Sequence, residues 1–495
     1  DQVLTHHYER DPRDPRVQHA VTIEVDDFGN VLKEAAIAYG RRTDRVDALI
    51  QSDREAQTRD LITYSEHTMT TGCTDSAQWP DDHRGPTRCD SRTYELTGFR
   101  PGAGRARFAT TDFVDELGGQ LAAVEVEEIG HAAEPEIQHP QRRLMTQTRV
   151  LFRSDDLATA LPLRSMQPRA VVAETYRLAL TPDILASALT RNEQPLIGDL
   201  EAVLGGTGGD GGGYVRGRSL KAAHLFPIND APDADDRWWA PSGTTFLSPA
   251  GTPEDPAAEL AYAARHFFLP LRQRDPFYGP GRDTETSVGY DEFDLLPVRM
   301  TDAVGNVTSA GQRRADGVVD PVMPGVDYRA LRPTLVTDAN LNRTAVVLDA
   351  LGMVVATAVM GKAGQHEGDF VDAAYPADLD DAVVLSHLED PLANAAVLLG
   401  AATTRLLYDM DAYVRSKDQA EPKPSAVCTI SRETHVSALA QGQSSRFQHQ
   451  FAYSDGFGRE IQKKVPSEPG DDGAPRWVCS GWTVFNNKGK PVRQY

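Results

Sequence analysis

The residues that could bind a cofactor lie in one glycine-rich stretch, from Gly205 to Gly213. Gly206 to Gly211 has the spacing G-x-G-x-x-G, in which glycines let the backbone approach a pyrophosphate. That loop works only when a strand precedes it and a helix follows it. Here the preceding residues favour helix, and Gly212-Gly213-Tyr214-Val215 favours extended chain. We therefore predict a flexible loop and no nucleotide cofactor.

Neighbouring acids are the next candidates for chemistry. Asp155-Asp156, Asp235-Asp236 and Asp380-Asp381 could share a proton, and Asp409-Met410-Asp411 has the spacing of a metal-nucleotide chelate. Adjacent side chains point apart on a strand and do not face each other on a helix, and no phosphate-binding loop lies beside Asp409. These patterns favour solvated surface charge, and we predict that the chain is not an enzyme.

Metal ligands are also few. His6 and His7 beside Glu9 would need a third ligand from elsewhere, and two adjacent histidines on a strand project to opposite faces. The four cysteines, Cys73, Cys89, Cys428 and Cys479, are widely spaced and form no C-x-x-C pair. We predict buried or half-buried thiols, with one incidental disulfide as the alternative, and no metal site.

The adjacent tryptophans Trp238 and Trp239 are candidate interface aromatics, because indole rings bury large areas and anchor interfaces or sugar rings. The favoured interpretation is that one ring packs inward and the other packs onto a neighbouring insert. The alternative is a carbohydrate site.

Short turns between alternating strands must position all of these side chains. Ser454 to Arg459 is one such turn: Asp455 can accept a backbone N–H two residues on, and Gly458 can adopt the positive φ that closes a type I turn with a bulge. The same spacing recurs at Asp26 and Gly29, at Asp302 and Gly305, at Asp349 and Gly352, and at Asn486 and Gly489. Asp338 to Asn342 keeps the aspartate and lacks the glycine. These turns predict hairpins along much of the chain.

The order of elements is strands, a mixed middle and then mostly strands. Paired strands with long loops are predicted from Val21 to about Thr111, and further strands at Thr146–Arg153 and Glu285–Tyr290. Helices are predicted to start at Thr181-Pro182, to cover Leu196–Leu204 and Asp255–Arg265, and to lie once or twice within Asp381–Leu399. We predict three regions: a β-rich region over 1–165, a mixed α/β insert region over 166–280, and a β-hairpin region over 281–495.

Composition limits the partners. The chain has 495 residues, a formal net charge of −21 and a pI near 5.0, so it lacks the basic surface that nucleic acid or an anionic membrane requires. No apolar run approaches the roughly 20 residues of a spanning helix. We expect no nucleic-acid partner and no membrane contact.

Several longer segments resemble one family. They are His7 to Arg10, Ile23 to Lys33, Tyr39 to Arg42, Thr93 to Phe99, Trp238 to Gly243, Phe451 to Lys464, and Trp482 to Tyr495. Together with the hairpin tips, which resemble the YD repeats of Rhs proteins, they are similar to the later part of the B component of Tc-type insecticidal toxin complexes (TcdB/TcaC-like proteins). The resemblance implies a mainly β fold, an Rhs/YD-repeat antiparallel β-shell segment with a few helical inserts.

The resemblance also implies a function. In Tc complexes the B and C components together form a hollow shell that encloses a cytotoxic domain before delivery. The expected partner is thus the C component, an Rhs-core toxin protein, while the A component would bind through regions expected before Asp1. The expected location is a secreted or extracellular toxin complex, cytoplasmic before release. The alternative function is a cell-surface Rhs/YD-type adhesin that binds carbohydrate.

Overall fold

The computed structural model describes residues 1–7, 13–42, 50–113, 127–136, 138–192, 194–206, 211–228, 233–314, 316–455, 458–470, 473–485 and 491–494. Among them, strands account for 37% and helices for 14%. Contacts divide the chain into two compact units, Asp1–Thr286 and Ser287–Tyr495.

The strands of the first unit precede residue 287. They are β1 (Gln2–His7), β2 (Arg16–Val25), β3 (Val31–Ala38), β4 (Leu61–Met69), β5 (Arg88–Thr97), β6 (Glu127–Glu128), β7 (Gln141–Phe152), β8 (Val172–Leu180), β9 (Thr190–Arg191), β10 (Gln194–Pro195), β11 (Val215–Arg216), β12 (Trp238–Pro241), β13 (Thr244–Phe246) and β14 (Arg272–Arg274). The large sheet has the order β1-β2-β3-β4-β5-β7-β8-β12-β11, with β6 added parallel to β7 and every other described pairing antiparallel. Successive strands are therefore mostly neighbours, as in a meander.

The register of this sheet explains its core. His19, Ile37, Ile62 and Leu96 lie directly opposite one another on β2 to β5, and all are 2–3% exposed. The alternating pattern of β3 buries Ala35 and Ile37 and exposes the residues between them, because side chains along a strand alternate between faces.

The described residues of the first unit include four α-helices. They are α1 (Gln51–Thr58), α2 (Pro182–Ala188), α3 (Gly217–Ala222) and α4 (Pro256–Ala263). Proline at the first helical position starts both α2 and α4, and at α4 the Asp255 carboxylate accepts the backbone N–H of Ala258 at 3.0 Å. At α2 the expected cap differs, because the Thr181 hydroxyl donates to Asp183 Oδ1 instead of accepting a backbone N–H.

The strands of the second unit begin with β15, which starts at the boundary. They are β15 (Glu285–Tyr290), β16 (Pro297–Thr301), β17 (Val307–Ala310), β18 (Val326–Asp327), β19 (Arg332–Pro333), β20 (Leu335–Thr337), β21 (Arg343–Leu348), β22 (Val354–Met360), β23 (Thr404–Asp409), β24 (Ser425–Arg432), β25 (Phe447–Ser454), β26 (Glu460–Ser467), β27 (Arg476–Cys479), β28 (Thr483–Phe485) and β29 (Pro491–Gln494). The main sheet of this unit follows the order β15-β16-β17-β20-β21-β22-β23-β24-β25-β26-β27, entirely antiparallel.

Helices cover part of one face of this second sheet. They are α5 (Asp381–Glu389), α6 (Ala395–Leu399) and α7 (Ala412–Ser416). Leu398 and Leu399 of α6 pack with Leu407, Cys428 and Ile430 of the sheet in one buried cluster. Pro391 lies between α5 and α6, where its missing N–H and fixed φ separate the predicted segment into two helices.

The mainly antiparallel β fold predicted from the sequence is confirmed. The expected helix over Leu196–Leu204 is wrong in extent: β10 ends at Pro195, and a five-residue π-helical turn occupies Glu201–Gly205. Gly198 and the glycines after Leu204 disfavour a longer helix. Helix α1 was missed, because its residues are polar and none is buried, so no apolar stripe marks it.

No helix in the described ranges is both long and apolar enough to cross a membrane. The proposed division at 165/166 stays a prediction.

Candidate functional sites in the hairpin turns and the tryptophan pair

The turn between β2 and β3 is built around one carboxylate. Asp26 Oδ1 accepts the backbone N–H of Phe28 at 3.0 Å and of Asn30 at 2.8 Å, and Oδ2 accepts the side-chain amide of Asn30 at 2.9 Å. The N–H of Gly29 donates to the carbonyl of Asp26, and Gly29 has φ +82°. One side chain thus satisfies two backbone donors that the turn leaves unpaired.

The same contacts recur in the second unit. Asp302 Oδ1 accepts from Val304 and Asn306 at 3.0 and 2.8 Å, and Asp349 Oδ1 accepts from Leu351 and Met353 at 2.9 and 2.8 Å. The closing glycines of these turns also have positive φ: Gly305 at +85° and Gly352 at +79°.

The Asp455 turn replaces the asparagine with arginine. Asp455 Oδ1 accepts the backbone N–H of Arg459 at 3.1 Å, and Oδ2 accepts Arg459 Nε at 2.7 Å, while Gly458 has φ +73°. The remaining predicted turn, at Asn486 and Gly489, lies outside the described residues.

The hydrogen bonds change the acidity of two of these carboxyl groups. The side-chain bond from Asn30 holds the pKa of Asp26 below its usual value against an opposing desolvation, and the backbone bonds from Asn30, Phe28 and Gly29 add to the lowering. Asn306 does the same to the pKa of Asp302. Because these bonds stabilise the ionised carboxylate, they lower the pKa of both groups.

Sequence reasoning missed one turn of this kind. Between β15 and β16, Asp291 Oδ1 accepts the backbone N–H groups of Leu295 and Leu296 at 2.7 and 2.9 Å. The residue with positive φ is Asp294, at +57°, so no glycine marks the turn. Aspartate tolerates this left-handed conformation better than most residues, which is the signal that could have identified it.

Both candidate interface tryptophans lie on β12 and are 1% exposed. Trp239 packs edge-on to Phe226 with ring centroids 5.0 Å apart, and the guanidinium of Arg149 lies 4.9 Å from its ring. Trp238 contacts Arg216 at 5.4 Å and lies beside the Glu201–Gly205 turn. Neither ring has an exposed face on which a sugar could stack. The two tryptophans therefore give no support to the carbohydrate-binding alternative.

The other candidate residues do not converge. Within the glycine-rich loop, residues 207–210 lie outside the described residues. Asp155 pairs with Arg169 while Asp156 accepts from Ser154, and Asp235 pairs with Lys221 while Asp236 pairs with Arg216 and Arg218. Asp380 directly precedes α5, and its carbonyl accepts the backbone N–H of Val383 at 2.9 Å. The carboxylate of Asp409 pairs with Arg415.

Of the metal candidates, Glu9 lies outside the described residues. Nε2 of His6 lies 3.2 Å from Arg107, and no cluster of three His, Cys, Asp or Glu side chains within the described ranges could hold a metal. All four cysteines are free thiols, of which three are buried and Cys479 is exposed.

The contact between the side chains of Asp369 and His435 was not predicted from the sequence. The carboxylate of Asp369 is buried, accepts the Thr403 hydroxyl at 2.6 Å and lies 2.7 Å from Nδ1 of His435. A buried carboxylate that orients an imidazole is the base half of a hydrolase triad. In the described part of the chain no serine or cysteine is hydrogen-bonded to Nε2 of His435. The pair joins the loop before α5 to the segment that follows β24.

The described residues thus define a class: an antiparallel β-sheet scaffold joined by aspartate-centred hairpins. Residues 2–79 match the family model described as insecticide toxin TcdB middle/C-terminal region, so the resemblance predicted from the sequence is confirmed in that segment. No curated protein matches the chain.

Three solved structures are similar over nearly the whole chain. They are TcdB2-TccC3 (19% identity, TM-score 0.47, 98% of this chain and 20% of that one), TcdB2-TccC3-Cdc42 (18%, 0.49, 99% and 23%) and a Photorhabdus luminescens Tc holotoxin pore (18%, 0.47, 97% and 22%). The chain therefore spans about a fifth of the length of these structures.

Proposed function

We propose that this chain is a noncatalytic structural segment of a Tc toxin B component that forms, with a C component, a hollow shell around a cytotoxic domain. The observation that carries the proposal is the TcdB match over residues 2–79. That segment contains β1 to β4 and the Asp26 turn, and so forms part of the same sheet as β5 to β8, β11 and β12. The complex would be secreted or extracellular and would join an A component through regions outside this chain.

The extended antiparallel sheets favour a structural wall of the proposed shell over a catalytic pocket. Aspartate-centred turns let successive antiparallel strands pair with their neighbours, and each added strand covers the open edge of the one before it. The net charge of −21 would keep such a wall soluble and weaken its attraction for acidic chains. The repeated turns are proposed as structural residues, with no catalytic role.

Coexpression with a C component tests the proposal. The chain, and separately the full product of its gene, would be coexpressed with the Rhs core of a C component that carries its toxic domain. We expect the full product and the C component to copurify as one particle, and the toxic domain to resist a protease that degrades it when it is expressed alone.

An unrelated protein of similar length and charge serves as the control partner. Failure of the C component to copurify with either form, or equal proteolysis of the toxic domain with and without the chain, would contradict the shell function. Turnover of a substrate by the purified chain would contradict the noncatalytic assignment.

A further inference from the structure

A cavity of about 530 Å³ opens on the second sheet between α5 and α7. This volume lies in the range of small-molecule sites. The cavity is separate from the hairpin turns and from the tryptophan pair, and it lies wholly within the second unit. Neither its residues nor its chemistry is used by the proposed shell function.

Two neighbouring rows of the sheet form the floor. In one row Asp409, Ala426, Tyr453 and Gln462 lie opposite one another on β23 to β26, and in the next row Phe451 is opposite Lys464. Residues directly opposite one another, and residues two apart on a strand, point to the same face. All six residues therefore face the same cavity, and they line it.

The floor combines aromatic rings with a cation. The rings of Phe451 and Tyr453 are stacked with centroids 6.3 Å apart, and Nζ of Lys464 lies 5.1 Å from the Tyr453 ring. At the rim, Trp482 is 43% exposed. The site thus has one accessible indole in its lining in addition to the aromatic surface on the sheet.

The charges of the lining favour an anion. The carboxylate of Asp409 is already paired with Arg415. The other charged residues of the lining are one acid, Glu389, and two bases, Lys423 and Lys464. Neither lysine has a carboxylate within ion-pair distance among the described residues. This local excess of positive charge stands out in a chain whose net charge is −21.

We propose that this cavity binds an aromatic carboxylate, with the ring over Phe451 and Tyr453 beside Trp482, and with the carboxylate on Lys464. Stacking on aromatic faces and a charge-assisted bond to the ammonium are the two contacts that such a ligand makes and that these side chains offer. A free small molecule can carry such a ring and carboxylate, and so can a peptide in which an acidic residue follows an aromatic one.

Isothermal titration of the full chain tests the proposal with matched probes. Indole-3-acetate carries the ring and the charge, indole-3-acetamide keeps the shape without the charge, and tryptamine reverses the charge. We expect indole-3-acetate to bind about tenfold more tightly than the amide, which corresponds to one charge-assisted contact, and tryptamine to bind most weakly. A blocked tetrapeptide containing Trp-Glu distinguishes the two sources: tighter binding than free indole-3-acetate would identify a chain segment as the ligand.

Two adjacent lysines supply the control variants. Lys464→Met keeps the aliphatic stem on Tyr453 and should remove the preference for the acid over the amide. Lys463→Met should leave it unchanged, because Lys463 is exposed on the opposite face of β26 and pairs with Glu460 at 3.1 Å. Trp482→Ala should weaken acid and amide alike.

Equal affinity for acid and amide would overturn the proposal. So would an unchanged preference in Lys464→Met, or an equal loss in Lys463→Met. Circular dichroism of each variant checks that the fold is kept.

Discussion

At the scale of single residues, the carboxylate of the first turn residue organises each hairpin more than the closing glycine does. The Asp338 turn has no glycine, yet Asp338 Oδ1 accepts from Asn340 and Asn342 at 2.8 Å, as in the other turns. Leu341 takes the glycine position with φ +69°. A leucine in this left-handed conformation is strained, because its Cβ approaches the neighbouring carbonyl.

A matched pair of substitutions measures that strain. Gly305→Ala should lower the free energy of unfolding by about 1 kcal/mol, because φ is +85° and nothing lies within 4 Å of the added Cβ, so only backbone strain changes. Leu341→Gly should act in the opposite direction, raising stability by up to about 1 kcal/mol. Urea unfolding midpoints measure both, and destabilisation by Leu341→Gly would show that its side-chain packing outweighs the strain.

The first turn offers a test of the carboxylate itself. Asp26→Ala should lower the melting temperature by a few degrees at pH 7, because two backbone donors lose their acceptor. Asp27→Ala removes the same charge from the next residue, which is exposed, and should have little effect.

The pKa of Asp26 gives this difference a pH dependence. Since the pKa is lower in the folded state, the carboxylate contributes stability above its unfolded value, near 4, and loses it as the pH falls further. The melting temperatures of Asp26→Ala and of the natural chain should therefore converge as the pH falls below about 4. A constant difference down to pH 2 would mean that the charge is not what the turn uses.

At the scale of elements, local signals were predictable and long-range pairs were not. The proline starts of α2 and α4, the strand β15 and the hairpin turns follow from neighbouring residues. Buried charges do not. Arg149 is 1% exposed because Asp90, 59 residues earlier, lies 3.1 Å away on a paired strand, and no sequence pattern joins the two.

The contact of α5 with the second sheet predicts an acid-sensitive element. His387 of α5 and His449 of β25 are 1% and 5% exposed, with ring centroids 6.1 Å apart, and Sγ of Cys428 lies 3.8 Å from Nε2 of His387. Burial, followed by repulsion from His449 and opposed by Asp390, lowers the pKa of His387 to about 4. Burial also lowers the pKa of His449.

The sign of the effect follows from these directions. Below pH 6.5 the unfolded chain takes up protons that the folded chain takes up only near pH 4, so stability is complete above pH 6.5 and falls between these values. We expect a loss of about 1–2 kcal/mol from His387, after allowance for solvent screening, and a further loss in the same direction from His449. His387→Gln should flatten the dependence of the urea midpoint on pH between 7 and 4.5. An unchanged slope would contradict the assignment.

At the scale of the whole molecule, pairing across residue 165 connects two of the regions proposed from the sequence. Strand β7 lies before this position and β8 after it, and the two pair from Thr148 opposite Arg177 to Phe152 opposite Val172. One buried cluster also contains residues from both sides, including Leu151, Met166 and Trp239. The helix signals that suggested a separate mixed region mark a stretch with helical inserts that also contributes β8, β11 and β12 to the same sheet.

Fragments of the first unit test whether residues 1–165 are a separate domain. A fragment ending at residue 165 would expose the edge of β7 and the apolar side chains of Leu151 and Phe152, which are 1% and 3% exposed in the intact unit. Unpaired edges and exposed apolar surface promote association. We therefore expect fragment 1–165 to elute as aggregates in gel filtration, and fragment 1–286, which keeps β8, β11 and β12, to elute as a monomer with cooperative unfolding. A monomeric, cooperatively folded 1–165 would instead establish the three-region division, because β7 would then be stable without its neighbour.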